Sequence, residues 1–247
     1  MLVDNAITRF IDTNLIEEDK LERDNHVSSG KLSANYLYKP KRFQLLKYLG
    51  VAGKPADCFS LRKFARGRAV EDYYVEKLEK MGIVVETQKE VSYRDTVGKV
   101  DVVVDSKTLD FKLGIIPHEV KSVTNRNFKW IKDNGEISEH YHLQACLYAL
   151  AMESEYYALD FIASDDLREY VTIHETKHYK KEVDRIITEY NEMIRAFQEH
   201  ATIPEWKVNY KWQENPMYMP FDEFWAKCTA KEFIDKLKEL GAFVVKD

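Results

Sequence analysis

The chain has 247 residues, enough for one large domain or for a domain with additional segments. Its hydrophobic content of 45% and charged content of 32% are ordinary for a globular protein, and its net charge of −5 excludes a uniformly basic molecule. Binding to nucleic acid would therefore require a local basic patch.

Three cysteines, Cys58, Cys146 and Cys228, lie far apart and form no C-x-x-C pair. This spacing argues against a zinc module or a disulfide framework and suits a reducing compartment. The first residues, MLVDNAITRFIDTN, contain early acids and no long apolar core, so we expect no signal peptide. The longest apolar stretch, LQACLYALAM (143–152), is too short to cross a bilayer. Together these features predict a cytoplasmic protein without membrane attachment.

Helical spacing dominates the first third of the chain. The apolar face of the first helix is supplied by Ile7, Phe10, Ile11 and Leu15. Pro40 interrupts the second helical segment, and Gly82 marks the end of the third. The predicted helices cover 2–23, 33–50 and 60–82, with a loop at 51–57.

β-branched and alternating residues then predict strands in IVVETQKEVSYRD, GKVDVVVD and TLDFKLGIIPHEVKSV. NRNFKWIKDNGE is interpreted as a polar loop. Residues 137–153 return to helical spacing, YYALDFIAS and EYVTIHE predict a strand pair, and 176–200 predict a charged helix. This order predicts a mixed sheet flanked by helices, in the α/β to α+β range.

IIPHEVKSV (115–123) places an acid and a base on one strand. Residues i and i+2 point to the same side, so Glu119 and Lys121 share a face. Asp101 lies in GKVDVVVD, and pairing of the two strands would bring both carboxylates to one sheet edge. Neighbouring carboxylates repel, and a bound Mg²⁺ or Mn²⁺ would relieve that repulsion. Lys121 would then orient or activate a water, or offset charge on phosphorus. The alternative is a salt-bridged strand edge without chemistry.

Asp101, Glu119 and Lys121 form the pattern D…E-x-K. The pattern resembles the PD-(D/E)XK nuclease superfamily, although Val100 stands where that name has its proline. A pattern this short also arises by chance, so further motifs are needed to support it.

Two helices supply such motifs. Gln144 and Tyr148 in HLQACLYALAM resemble the Q-x-x-x-Y motif of the RecB-like branch; the alternative is a core tyrosine with an amide partner. Gly67 and Glu71 in RGRAVEDYYVEKL resemble the G-x-x-x-E helix of the RecB-like and phage-exonuclease branches. The resemblance, which includes CRISPR-adaptation nucleases, covers residues 33–200.

The resemblance implies a restriction-endonuclease-like core and a set of roles. The core would span 59–203, after a helical region at 1–58 that forms a DNA passage and before an aromatic tail at 204–247 that packs on the core. The implied metal ligands are Glu71, Asp101, Glu119 and the backbone carbonyl of Val120. Lys121 would position the water, while Gln144 and Tyr148 would hold the geometry and touch the DNA backbone.

The implied activity is metal-dependent hydrolysis of DNA phosphodiester bonds without a covalent intermediate. We expect an exonuclease on single-stranded or end-bearing DNA, with replication, recombination or repair proteins as partners and a phage or mobile element as one origin. The rival hypotheses are a structure-specific or flap endonuclease and an inactive DNA-binding module of the same fold.

No iron–sulfur cluster is expected, although many RecB-like nucleases carry four cysteines for one. Lys39 stands where the first of these would be, and the tail contains only Cys228. The tail's aromatic residues are expected to pack by burial, with stacking on unpaired bases as the alternative. They are Trp206, Tyr210, Trp212, Tyr218, Phe221 and Trp225.

Basic residues interleaved with aromatic ones precede Glu71. This combination suits a strand-binding groove, because lysine and arginine attract phosphates and aromatic rings stack on bases. A solvated helix face is the alternative for each. The predicted DNA contacts are Lys39, Lys41, Arg42, Arg62, Lys63, Arg66 and Arg68.

Overall fold

The computed structural model describes residues 6–25, 30–109, 113–208, 210 and 221–241. These residues divide into two compact units. The sheet unit comprises Lys31–Lys39 and Gly67–Ala196, and the helical unit comprises the described parts of Met1–Gly30, Pro40–Arg66 and Phe197–Asp247. No helix in these segments is long and apolar enough to span a bilayer.

After β1, helices and strands follow one another in runs of two or three, with short 3₁₀ turns at Ala34–Tyr36 and Ser106–Thr108. In chain order they are α1 (Ala6–Asn25), β1 (Leu32–Ser33), α2 (Lys41–Tyr48), α3 (Cys58–Lys80), β2 (Val84–Tyr93), β3 (Thr96–Asp105), β4 (Ile115–Val123), α4 (Asn125–Asn134), α5 (Glu139–Ala151), β5 (Tyr156–Ala163), β6 (Glu169–Glu175), α6 (Lys177–His200), α7 (Glu223–Lys227) and α8 (Ala230–Glu239).

Within the described residues six strands form one mixed sheet, and a mixed sheet is what the sequence predicted. β3 lies between β2 and β4 and runs antiparallel to both, while β1 pairs in parallel with the beginning of β3. β5 runs parallel to β4, and β6 runs antiparallel to β5. β5 is almost entirely buried, which explains why its sequence is a nearly continuous apolar run, and β4 is buried from Ile116 to Val120.

Helices cover the sheet. The part of α3 in the sheet unit packs Val70, Tyr74 and Leu78 against valines of β3 and β4, including Val102 and Val120. α5 packs against β2, β3, β4 and β5 and is buried from residue 142 to 149, so its apolar sequence has no solvent-facing stripe. α3 carries Glu71, and α5 carries Gln144 and Tyr148.

NRNFKWIKDNGE is not a polar loop. It forms α4, because Thr124 caps the helix by accepting a hydrogen bond from the Asn127 N–H at 3.4 Å and Gly135 ends it with φ +66°. Phe128 and Ile131 are buried at helical spacing, and the other side is exposed. The interpretation as a loop gave too much weight to the asparagines and charges.

Two further predictions need qualification. α1 forms as predicted, but Ile7, Phe10 and Ile11 of its apolar face are 75%, 67% and 47% exposed. The beginning of that predicted helix and residues 110–112 of TLDFKL lie outside the described residues.

The helical unit buries two of the tail's aromatic residues. Phe221 packs edge-on against Phe43 with ring centroids 5.1 Å apart, and Trp225 packs against Phe233 at 5.0 Å. Both tail residues are at most 5% exposed, so burial rather than base stacking is their role here. Trp212 and Tyr218 lie outside the described residues.

Candidate active site

β4 places an ion pair inside the sheet unit. Lys121 Nζ contacts Glu119 Oε1, as the i, i+2 spacing predicted. Glu119 is 1% exposed, whereas the side chain of Lys121 retains 23% of its exposure. The second oxygen of Glu119, Oε2, is buried and has no hydrogen-bond partner within the described residues. Such an oxygen is costly unless something else satisfies it.

Asp101 joins this pair from β3. Val102 pairs with His118 in the antiparallel register, so the next step along that register brings Asp101 opposite Glu119. Asp101 Oδ2 accepts a hydrogen bond of 2.8 Å from the Val120 N–H. The backbone of the E-x-K strand therefore holds the aspartate against β4.

Glu71 approaches from α3 and has a partner that the sequence did not reveal. Gln88 of β2 donates its side-chain amide to Glu71 Oε1 at 2.6 Å. Gln88 has φ +50°, an unusual conformation for a side-chain-bearing residue in a strand, and such outliers cluster at functional sites. Nothing in the polar segment ETQKE indicates this geometry.

Besides burial, the charge of Asp101 raises the pKa of Glu71 and of Glu119. Burial, followed by the charges of Asp101 and Asp72, raises the pKa of Glu71 to about 7. Burial also raises the pKa of Asp101, although Lys121 and the Val120 N–H oppose the shift. The pKa of Glu119 is raised by burial and by both neighbouring carboxylates. The carboxylates therefore lie close enough to repel, and a cationic partner would relieve them.

Lys121 remains charged in this setting. Burial alone would lower its pKa, but Glu119 and Asp101 outweigh that effect and raise it. The ring of Tyr141 lies 5.5 Å from its Nζ, a cation–π contact that also favours the ammonium form. This lysine is thus suited to donate hydrogen bonds rather than to remove a proton.

Gln144 and Tyr148 extend the network on α5. Lys121 Nζ donates to Gln144 Oε1 at 3.5 Å, and Gln144 Nε2 donates to the Tyr148 hydroxyl at 2.9 Å. Tyr148 is 1% exposed and Gln144 is 6% exposed, so the predicted contact of this pair with the DNA backbone does not fit the structure. They instead position the lysine. Gly98 makes room for the tyrosine, because a Cβ there would lie 2.4 Å from its ring.

An aromatic wall stands beside the lysine. The ring of His140 lies 4.0 Å from that of Tyr141 and 4.9 Å from that of Tyr38. Burial and the charge of Lys121 lower the pKa of His140 to about 4, so its imidazole is neutral at pH 7. The wall therefore adds no second positive charge near the site.

A buried pair lies on the other face of β4. His118 Nδ1 is 2.8 Å from Asp160 Oδ2 of β5, and both residues are at most 5% exposed. His118 thus faces away from Glu119, because adjacent residues of a strand point to opposite faces. Asp160 was not singled out by the sequence, and its charge contributes to the raised pKa of Asp101.

The acids suit a divalent cation by their chemistry. Carboxylate oxygens are the ligands that Mg²⁺ and Mn²⁺ prefer, and Glu119 offers an unpartnered oxygen. Among the described residues, however, no three histidine, cysteine, aspartate or glutamate side chains are already arranged as metal ligands. Lys121 pairs with one Glu119 oxygen, so binding an ion would require these side chains to readjust. A purely structural ion pair would not require Asp101 and Glu71 beside it.

Arg42 does not fit its predicted role in DNA binding. It is 7% exposed and lies inside the helical unit. Its Nε donates to the carbonyl of Pro204 at 2.7 Å, and its Nη1 donates to the carbonyls of Trp225 and Cys228 at 3.2 and 3.1 Å. The guanidinium satisfies backbone oxygens there and is not available to a phosphate.

The other predicted DNA contacts divide between the units. Lys39 lies 5.0 Å from the ring of Tyr38, and burial lowers its pKa to about 8. Arg62 forms a two-point contact with Asp12 at 2.8 and 2.6 Å. The residues with exposed side chains are Lys41, Arg62, Lys63 and Arg66 in the helical unit and Arg68 in the sheet unit.

No protein-family model and no curated protein sequence matches the chain. Its fold is similar to the crystal structure of SSO0001, with a TM-score of 0.50 at 18% identity over 92% of this chain and 98% of that one. An alkaline exonuclease (LHK-Exo) from Laribacter hongkongensis gives 0.48 at 12% identity, covering 76% and 97%. A phage related exonuclease from Haemophilus somnus 129PT gives 0.35 at 14% identity, covering 72% and 99%. At these identities the first likeness shows the fold alone, and the other two are too loose to carry a conclusion.

Proposed function

We propose that this chain is a metal-dependent deoxyribonuclease that hydrolyses phosphodiester bonds. One observation carries the proposal: three carboxylates from separate elements, Glu71, Asp101 and Glu119, lie together beside Lys121, which forms an ion pair with Glu119. Burial and the charge of Asp101 raise the pKa of both glutamates. Perturbed acids clustered around a cation are typical of catalytic sites. The motif order around them supports the nuclease chemistry.

The residues have distinct roles in this proposal. Glu71, Asp101, Glu119 and the carbonyl of Val120 would hold Mg²⁺ or Mn²⁺. When bound, such an ion supplies positive charge for the phosphate oxygens and favours ionisation of a water. The ammonium of Lys121 orients the attacking water and offsets the negative charge that develops on the phosphate. Its raised pKa argues against a role as general base.

Supporting side chains keep that ammonium in place. Gln144 fixes Lys121 from α5, and Tyr148 fixes Gln144 in turn. Gln88 orients Glu71. These residues act through others and are positioning residues rather than catalytic ones.

The finer proposal is an exonuclease on single-stranded or end-bearing DNA that serves replication, recombination or repair. It is supported by the resemblance of the spaced motifs. A digestion assay tests the exonuclease proposal. It uses linear strands labelled at the 5′ or 3′ end and a circular single strand, each incubated with Mg²⁺ or Mn²⁺. We expect the linear strands to be degraded from an end and the circle to survive. Cleavage of the circle would replace the exonuclease with an endonuclease.

Variants separate the site from contaminating activity. Lys121→Ala and Asp101→Asn should lower the cleavage rate by about 100-fold or more, whereas Lys181→Ala, at an exposed position on α6, should not. Mn²⁺ should also raise the melting temperature of the wild type but not of Asp101→Asn, because only the folded acids bind it. Unchanged cleavage by Lys121→Ala would refute the mechanism. Wild-type DNA binding without hydrolysis would favour the inactive module.

A further inference from the structure

A groove of about 700 Å³ opens at the end of β4. Val123 lines it and continues the strand face of Glu119 and Lys121, since the three residues are two apart. Tyr141 also lines it, and the ring of Tyr141 lies 5.5 Å from Lys121 Nζ. The groove therefore begins beside the charged lysine of the candidate site.

Aromatic side chains form the walls of this groove. Trp130 of α4 is 55% exposed, and its indole N–H donates to Glu136 at 3.2 Å, which orients the ring by one edge. On another part of the lining, His142 stacks on Tyr179 with centroids 4.6 Å apart and planes 5° from parallel. His142 is 6% exposed and only supports the wall, whereas Trp130 is an exposed, oriented ring of the kind on which unpaired bases stack.

The helix that carries Trp130 is basic. Arg126, Lys129 and Lys132 of α4 are all exposed, against the single acid Asp133, in a chain whose net charge is −5. A local positive surface on an acidic protein is the electrostatic footprint of a polyanion site. The sequence-based interpretation of this segment as a loop had overlooked it.

We infer that this groove binds the single-stranded nucleic-acid segment next to the phosphate being cleaved. Trp130 stacks on an unpaired base, and the exposed Arg126, four residues earlier on the same side of α4, binds a phosphate. The occupant is single-stranded because a duplex does not present its base faces for stacking. The inference rests on the proposed function, and it assigns to α4 a nucleic-acid contact that the sequence did not predict for this segment.

Fluorescence anisotropy in Ca²⁺ tests whether the groove binds single strands. It measures the binding of labelled oligo(dT) and of a hairpin duplex with no overhang. Trp130→Ala should weaken oligo(dT) binding by about 5- to 100-fold, and Trp130→Phe should keep most of it because the ring face remains. Arg126→Ala should reduce the slope of log affinity against log salt by about 0.7, the value for one phosphate contact on a single strand. Lys181→Ala should change neither quantity, and the hairpin should be insensitive to Trp130.

The outcomes separate this inference from the nuclease proposal. Oligo(dT) affinity unchanged in Trp130→Ala overturns the groove, even if the wild type hydrolyses DNA. Loss of affinity in Trp130→Ala, retained in Trp130→Phe, supports the groove, even if the wild type hydrolyses nothing. A dimer in light scattering that Trp130→Ala dissociates would make the groove an interface between copies and overturn the inference. Circular dichroism of each variant excludes unfolding as the cause.

Discussion

Removal of Lys121 should destabilise the protein as well as inactivate it. Lys121→Ala, studied without divalent metal, leaves Glu119 buried at 1% exposure without its counter-charge and beside Asp101. Breaking a buried ion pair from one side costs about 3–5 kcal/mol. Because the lysine side chain keeps 23% of its exposure, we expect the lower end, about 3 kcal/mol. Combining Lys121→Ala with Glu119→Gln should cost much less than Lys121→Ala alone, since no charge is then stranded, and Glu119→Gln alone completes the double-mutant cycle.

Urea unfolding in EDTA at pH 7.5, followed by far-ultraviolet circular dichroism, measures the four members of this cycle. The coupling free energy should be about 2 kcal/mol or more, which is in the range of directly contacting residues. Lowering the pH toward 5 should shrink the cost of Lys121→Ala, because the raised pKa of Glu119 lets that carboxyl take up a proton and become neutral. Lys181→Ala serves as the exposed control and should remain within about 0.5 kcal/mol of the wild type.

This reasoning would be refuted if the free-energy losses of the two single substitutions added up to the loss of the double substitution. So would a loss below about 1 kcal/mol for Lys121→Ala, the range of an exposed ion pair. Either result would mean that Glu119 is solvated in solution and that the site is not the buried, charge-frustrated cluster on which the metal proposal depends.

Three further changes probe the packing around the site and the corrected assignments. Gly98→Ala should destabilise the protein by about 1–3 kcal/mol, because the new Cβ would lie 2.4 Å from the ring of Tyr148. Gly67→Ala has open space around its Cβ and should be neutral or stabilise the protein by about 1 kcal/mol. Thermal melts compare the two variants. Burial lowers the pKa of His142 to about 4, so the folded state resists a proton that the unfolded state takes up below pH 6.5. The free energy of unfolding should therefore fall between pH 6.5 and pH 4, by about 2 kcal/mol at pH 5. His142→Phe should flatten this pH dependence in urea titrations. Arg42→Met should lower unfolding stability by about 2–4 kcal/mol by stranding three backbone carbonyls, and it should leave the salt dependence of DNA binding unchanged; a reduced salt slope would restore the DNA-binding assignment.

Local patterns in the sequence determined which strands and helix carry the candidate site. Alternation in IIPHEVKSV placed Glu119 and Lys121 on one face because a strand has a period of two, whatever surrounds it. The valine-rich GKVDVVVD predicted β3 through its β-branched residues, and residues 137–153 predicted α5 through their helical spacing. α4 was equally available, since Thr124 and Gly135 bracket Phe128 and Ile131 at helical spacing, but the polar composition concealed it.

Only the tertiary structure decided which side chains solvent reaches and which contact one another. Arg42 and Lys41 are neighbours in the chain with opposite fates, one satisfying backbone carbonyls from distant segments and the other exposed. Gln88 acquires its contact with Glu71, 17 residues away, from a backbone twist at φ +50°. Trp130 is exposed while Tyr148 is buried, although both lie on helices. Burial and charge pairing depend on contacts between residues far apart in the chain, and local periodicity carries no information about such contacts.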